Sequence, residues 1–141
     1  MKKSYYFAYK KSSVATKELD KNITENNLPL PLQPVLEVVG LEIAISFLKE
    51  YQGKRVYIPK EPKPDHKLTE VMSYEHLQNL GRAIGGTRLD LRHSSIGSVY
   101  NSAYFKLLKD KYRSSDKPSF AEFCKQHNLK KTHYFQKKIA N

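Results

Sequence analysis

Cysteine is almost missing from this 141-residue chain; the single one is Cys124. That excludes an intramolecular disulfide and a cysteine-rich zinc module. No run of about 18 apolar residues occurs, so no membrane-spanning helix is expected. The start, Met1-Lys2-Lys3, is basic, but the apolar patch from Tyr5 to Tyr9 ends at Lys10-Lys11. That patch is shorter than a signal peptide's apolar core of about 7–15 residues, so a reducing cytoplasm is the expected compartment. Acidic residues are also scarce. Asp and Glu number 14 against 25 Lys and Arg, a formal net charge of +11. An excess of that size points to an anionic partner. Hydrophobic residues at 39% and charged residues at 28% fit a folded globular protein rather than a disordered one. The length suits one domain or two small lobes.

Residues 1–27 form a polar arm in which Tyr5, Tyr6, Phe7 and Tyr9 are the exceptions. Such an arm either docks through its aromatics or tracks a phosphate backbone. Leu28-Pro29-Leu30-Pro31-Leu32 reads as an extended entry, because proline disfavours helix at the residue before it. Pro34 suits a helix's first turn. From Val35 to Tyr51 apolar residues recur at steps of three and four, which predicts a helix with a kink at Gly40. Gly53 ends it, and Arg55-Val56-Tyr57-Ile58 reads as a short strand with Arg55 and Tyr57 on one face and Val56 and Ile58 on the other. Pro59 closes the strand, and residues 60–65 are a charged, proline-rich linker.

The segment from Val38 returns from Val71, offset by 33 residues. Glu42 matches Glu75, Phe47 matches Leu80, and Gln52–Ile58 matches Gly85–Leu91. Each copy reads as helix, glycine stop, short strand, which implies a duplicated supersecondary element. So short a strand needs a partner to satisfy its backbone groups, either its sister copy or a strand of a second chain.

A further helix follows His93-Ser94-Ser95, capped by one of the two serines, with an apolar stripe from Ile96 through Val99, Tyr100, Ala103, Leu107 and Leu108. The break at Ser114–Pro118 leads to the last segment. Ser119 and Glu122 form a capping box for a helix to about His127. Asn128 tolerates the left-handed turn, and a second helix runs from Lys130 to about Ile139. This is the outline of a helix-turn-helix, with Cys124 as the small residue where the helices touch. Tyr134, Phe135 and Ile139 can pack inward, while Lys130, Lys131, Thr132, His133, Gln136 and Lys137 can face a major groove about 12 Å wide. Lysines bind phosphates; Thr, His and Gln can bond to base edges. Residues 99–141 hold ten Lys/Arg and three Asp/Glu, so most of the excess charge lies beside this motif.

Enzymatic readings fare less well. Cys124 and His127 with only His133 nearby fall short of zinc's four ligands, and nothing supplies the orienting acid of a Cys–His nucleophile. Asp65-His66 and His93 would be nuclease candidates, but the first lies in the linker and the second beside a helix cap. Gly85-Gly86 lacks the Gly-Lys-Ser/Thr ending of a phosphate loop. Tyr100, Tyr104, Phe105 and Tyr112 fit a core better than a base-stacking platform. No catalytic residue, metal or cofactor is expected.

The Leu30-Pro31 entry, Val39-Gly40-Leu41-Glu42, Gly53, and Arg55-Val56-Tyr57-Ile58-Pro59-Lys60, followed by the helix-turn-helix, resemble the Mor/C transcription activators of Mu-like phages. The resemblance implies a helical region with a short strand that forms an intertwined homodimer, and a C-terminal helix-turn-helix on double-stranded DNA. It places Val56 and Ile58, with Phe47, at the dimer core, Arg55 and Tyr57 near the DNA backbone, and Lys130, Lys131, Thr132, His133, Gln136 and Lys137 on the recognition helix. Host RNA polymerase is a further partner it brings. The expectation is a mainly α protein with short β-strands: an arm (1–27), a duplicated helix–strand assembly domain (28–93) and a helix-turn-helix domain (94–141). Its function would be that of a nucleoid-associated transcriptional regulator of phage or mobile-element origin. A basic interaction module or anti-host factor for a protein or RNA target is the alternative.

Overall fold

The computed structural model describes residue 9 and residues 16–114, 119–127 and 136–140. The chain is mainly helical, with one small two-stranded antiparallel sheet. It divides into two compact units: a central one, Thr24–Val99, and a terminal one that joins Met1–Ile23 with Tyr100–Asn141. No helix of the described residues is long and apolar enough to cross a membrane.

The central unit opens on the proline-rich entry. Pro29 is extended (φ −65°, ψ 152°), but Leu30–Leu32 tightens into a 3-10 turn where an extended path was expected. The turn buries Leu32 and leaves Leu30 exposed. The chain's second helix, α2 (Gln33–Val39), carries Pro34 in its first turn, where a missing N–H goes unneeded. The helix expected to continue to Tyr51 does not kink at Gly40; it breaks. Gly40 sits at φ 90°, ψ 170°, a region open essentially to glycine alone. Its N–H closes α2 on Leu36 O at 2.9 Å, and its carbonyl accepts Ala44 N–H at 3.0 Å to start α3 (Leu41–Tyr51). The break lets two short helices each turn an apolar face inward: Val35, Leu36 and Val39 from one, Ala44, Phe47, Leu48 and Tyr51 from the other.

After α3 the chain passes through Gln52 (φ −56°, ψ 141°) and Gly53 (φ 79°) into β1 (Arg55–Ile58). Thirty-three residues on, α4 (Tyr74–Ile84) passes through Gly85 (φ −57°, ψ 144°) and Gly86 (φ 88°) into β2 (Thr87–Asp90). The two strands pair antiparallel within the chain: Arg55 faces Asp90, Val56 faces Leu89, Tyr57 faces Arg88 and Ile58 faces Thr87. Both glycine turns are tied to the opposite strand. Gly53 N–H donates to Leu91 O at 2.8 Å, and Gly86 N–H donates to Ile58 O at 2.7 Å. Val56, Ile58, Leu89 and Leu91 are buried beneath the ribbon, each side chain stabilising it by roughly 1.5–3 kcal/mol.

Between the strands, the linker is fastened rather than loose at one point: Tyr74 donates its hydroxyl to Pro62 O at 3.0 Å. His66 Nδ1 accepts Leu68 N–H at 3.1 Å and caps the 3-10 turn Lys67–Glu70. Ser73 Oγ accepts His76 N–H at 3.1 Å and caps α4. Ser95, of the two candidate serines, caps α5 (Ile96–Ser114) by accepting Ser98 N–H at 3.1 Å. The first N–H of that helix, at Ile96, goes to Gln52 Oε1 at 2.8 Å.

The terminal unit holds α1 (Thr16–Asn22), most of α5, α6 (Phe120–Gln126) and a π-helical turn at Gln136–Ala140. Leu19, Ile23, Ala103, Tyr104, Leu108, Phe123, Cys124 and Ile139 are among its buried residues. Tyr9 and Tyr100 are ring neighbours at 5.4 Å, so an aromatic of the N-terminal arm packs in this core. Tyr112 sets its ring edge-on to Phe120 and Phe123, at 5.7 and 5.1 Å.

Candidate nucleic-acid interface

The C-terminal segment starts as its residues dictate. Ser119 is extended (φ −58°, ψ 155°), and its Oγ accepts Glu122 N–H at 3.3 Å, which satisfies one of α6's free N–H groups. The helix buries Phe120, Phe123 and Cys124 and exposes Ala121, Glu122, Lys125 and Gln126. In the turn at 136–140, Ile139 is buried and Lys137 and Lys138 are exposed. Lys106, Lys111 and Arg113 of α5 are exposed too. The described surface of this unit is therefore rich in cations, with its apolar side chains turned inside. Lys130, Lys131, Thr132 and His133 lie outside the described residues, and so do Tyr134 and Phe135. Gln136 is placed by its backbone alone, in the same turn as Lys137.

His127 follows α6, with its ring 4.4 Å from that of Phe123. Burial is the first reason its pKa lies below the usual imidazole value, and the Lys111 charge is the second. The neutral ring is therefore favoured, as suits a side chain against an aromatic. Cys124 beside it is buried. Among the described residues no three His, Cys, Asp or Glu side chains converge as a metal site would require.

The ribbon of the central unit offers a second cationic surface. Arg55 and Tyr57 point away from the core, as the strand's alternation predicts, and Tyr57 keeps 53% of its surface exposed. Antiparallel pairing puts Arg88 directly across from Tyr57 and Asp90 across from Arg55. Asp90 is held by Arg92 through a fork: Nε to Oδ1 at 2.9 Å and Nη2 to Oδ2 at 2.9 Å. Those hydrogen bonds keep its carboxyl well below the usual carboxylate range, with the charges of Arg92 and Arg55 adding to the effect. With Asp90 engaged by Arg92, the net character of the face is positive. Sequence reasoning gave Arg88 no role. The signal was present, since Arg88 is the residue 33 positions after Arg55.

Val56, Ile58 and Phe47, expected at a dimer core, are buried within the chain, with 7%, 0% and 0% exposure. The strand finds its partner within the chain, in β2. Asp65 is exposed in the linker, His66 is engaged as a cap and His93 is exposed after the ribbon. Comparison of the chain with protein-family models, with the curated proteins and with the solved structures gave no match.

Proposed function

We propose that the protein is a sequence-specific, double-stranded-DNA-binding transcriptional regulator of phage or mobile-element origin. In this reading residues 119–141 form a helix-turn-helix whose second helix enters the major groove, and the central unit is a duplicated helix–strand element. Lys130, Lys131 and Lys137 bind phosphates, and Thr132, His133 and Gln136 read base edges. Arg55 and Tyr57 add contacts from the ribbon. The nucleoid is the place of action, and host RNA polymerase is the further partner. Val56, Ile58 and Phe47 serve the core of a single chain in this reading; a homodimer through the same residues is the competing arrangement, and the number of chains on a selected duplex separates the two.

One observation supports it most. In the described part of the terminal unit, Lys106, Lys111, Arg113, Lys125, Lys137 and Lys138 are exposed, while Phe120, Phe123, Cys124 and Ile139 are withdrawn. That partition is what phosphate binding requires of a small basic domain. The test is selection of bound duplexes from a random pool, followed by titration at increasing salt. A defined sequence should emerge, and about four phosphate contacts should cost roughly 10²-fold in affinity between 50 and 200 mM salt. No enrichment, or affinity that is flat with salt, overturns the reading. Preference for single-stranded RNA over duplex DNA would do so as well.

A further inference from the structure

We infer that one copy of this chain presents a complete, internally two-fold ribbon to duplex DNA, with Arg55 and Arg88 as its paired phosphate contacts. The inference rests on the DNA-binding reading above and adds to it a residue, Arg88, and a stoichiometry. It comes from the register. Val56 faces Leu89, which is its own equivalent 33 residues later, so a local two-fold axis passes between these two. The pair Arg55–Asp90 is carried by that axis onto the pair Arg88–Tyr57. The bond from Gly53 N–H to Leu91 O is carried onto the bond from Gly86 N–H to Ile58 O, at 2.8 and 2.7 Å. The backbone torsions before each glycine agree within a few degrees.

The axis decides what the exposed face can hold. Arg55 and Arg88 are diagonal neighbours across the ribbon, positions about 7–8 Å apart and within reach of each other's long side chains. Both are exposed, and neither makes a hydrogen bond or salt bridge to another described residue. The acid across from Arg55, Asp90, is held by Arg92. Two long cationic side chains related by a dyad match an anionic partner with its own dyad, and the two phosphate strands of a duplex are related in that way. B-form DNA has a major groove wide enough for a two-stranded ribbon, whereas the major groove of A-form RNA is too narrow for side chains to enter. The halves differ where Tyr57 stands opposite in symmetry to Asp90, so the shared contact is to the backbone and not to a palindromic base sequence.

The experiment uses the full chain and the duplex that it selects from a random pool. Light scattering of the complex gives the number of chains per duplex, and affinity is measured against salt for wild type, Arg55→Gln, Arg88→Gln and Arg88→Lys. One chain per duplex is expected, with the salt slope reduced by about 0.9 in each glutamine variant, and with the slope retained in Arg88→Lys. Circular dichroism and melting of each variant show that the fold is kept, which exposed positions allow. Binding with an unchanged slope in Arg88→Gln, or an obligatory two chains per duplex, overturns the inference and leaves the regulator reading standing. Failure of wild type to bind any duplex overturns that reading and takes this inference with it. Equal affinity for double-stranded RNA, lost in the same variants, overturns the groove placement.

Discussion

Tyr100 donates its hydroxyl to Asp20 Oδ1 at 2.8 Å, joining residues eighty positions apart in the terminal unit. The bond fixes α1 to α5, and the Tyr9 ring stacks at a tilt on the same tyrosine. A hydrogen bond to a charged group contributes about 1.5–3 kcal/mol. Tyr100→Phe should therefore lower stability by about 1.5–3 kcal/mol in urea titration. It should also speed proteolytic cleavage before residue 24. An unchanged cleavage rate would mean that burial of Leu19 and Ile23 holds α1 without this bond.

Phe47 separates a core from a dimer contact. Its side chain is fully buried, with its ring 5.1 Å from that of Tyr51. Phe47→Ala should cost about 3–5 kcal/mol, the range for emptying a packed aromatic site. The loss should be the same at micromolar and at tenfold higher protein concentration. A midpoint that moves with concentration would return Phe47 to an interface between copies.

Gly81 is constrained by approach rather than by torsion. A Cβ there would stand 2.7 Å from Pro59 O and 2.8 Å from Lys60 O, both backbone atoms that cannot swing away. Gly53 has open space but a φ of 79°. Both alanine variants should be less stable than wild type, Gly53→Ala by about 1–3 kcal/mol for the backbone conformation. Gly81→Ala should be the worse of the two, because α4 must move off the strand exit. Thermal melts of the two variants, compared side by side, check the order.

Asp90 and His127 each tie stability to pH. Asp90 has its pKa depressed by Arg92, so its contribution is present above the ordinary carboxylate value of about 4 and is lost as pH falls below it. Arg92→Gln should flatten the stability profile below about pH 4. His127 is depressed by burial and by Lys111, so its neutral form is favoured on folding. Its contribution is present above the unfolded value of about 6.5 and is lost as pH falls through the folded one. In an NMR titration the His127 ring should protonate below that value, and Lys111→Met should move it upward. An unmoved titration would mean that burial alone, and not the Lys111 charge, depresses the ring.

If the DNA-binding reading holds, Lys131→Ala should weaken binding to all DNA sequences alike, and Gln136→Ala should mainly relax sequence preference. Competition with scrambled duplexes separates the two effects. Wild-type behaviour in both would remove these residues from the interface.

The strand alternation at Arg55–Ile58 was legible because burial on one face requires a period of two, and the structure exposes Arg55 and Tyr57 as that period demands. Ser119 was legible as a cap because its partner N–H is local, three residues on. The break at Gly40 was not, since periodicity alone cannot tell a kinked rod from two helices whose second half turns back to a shared core. Arg92's hold on Asp90 was missed for a similar reason. A pair two residues apart becomes a fork only once the strand has ended between them. The cis pairing of the strands was open in the sequence, because the same hydrogen bonds satisfy either arrangement.

The amide of Ile96 rests on a carboxamide that lies 44 residues upstream, at Gln52. The longest helix among the described residues thus takes its first support from a turn made long before it in synthesis. A fragment cut out from residue 94 onward would carry the sequence of that helix but not the anchor for its opening turn. Its end would fray, and dissection of the chain at that boundary would understate the order of the intact protein.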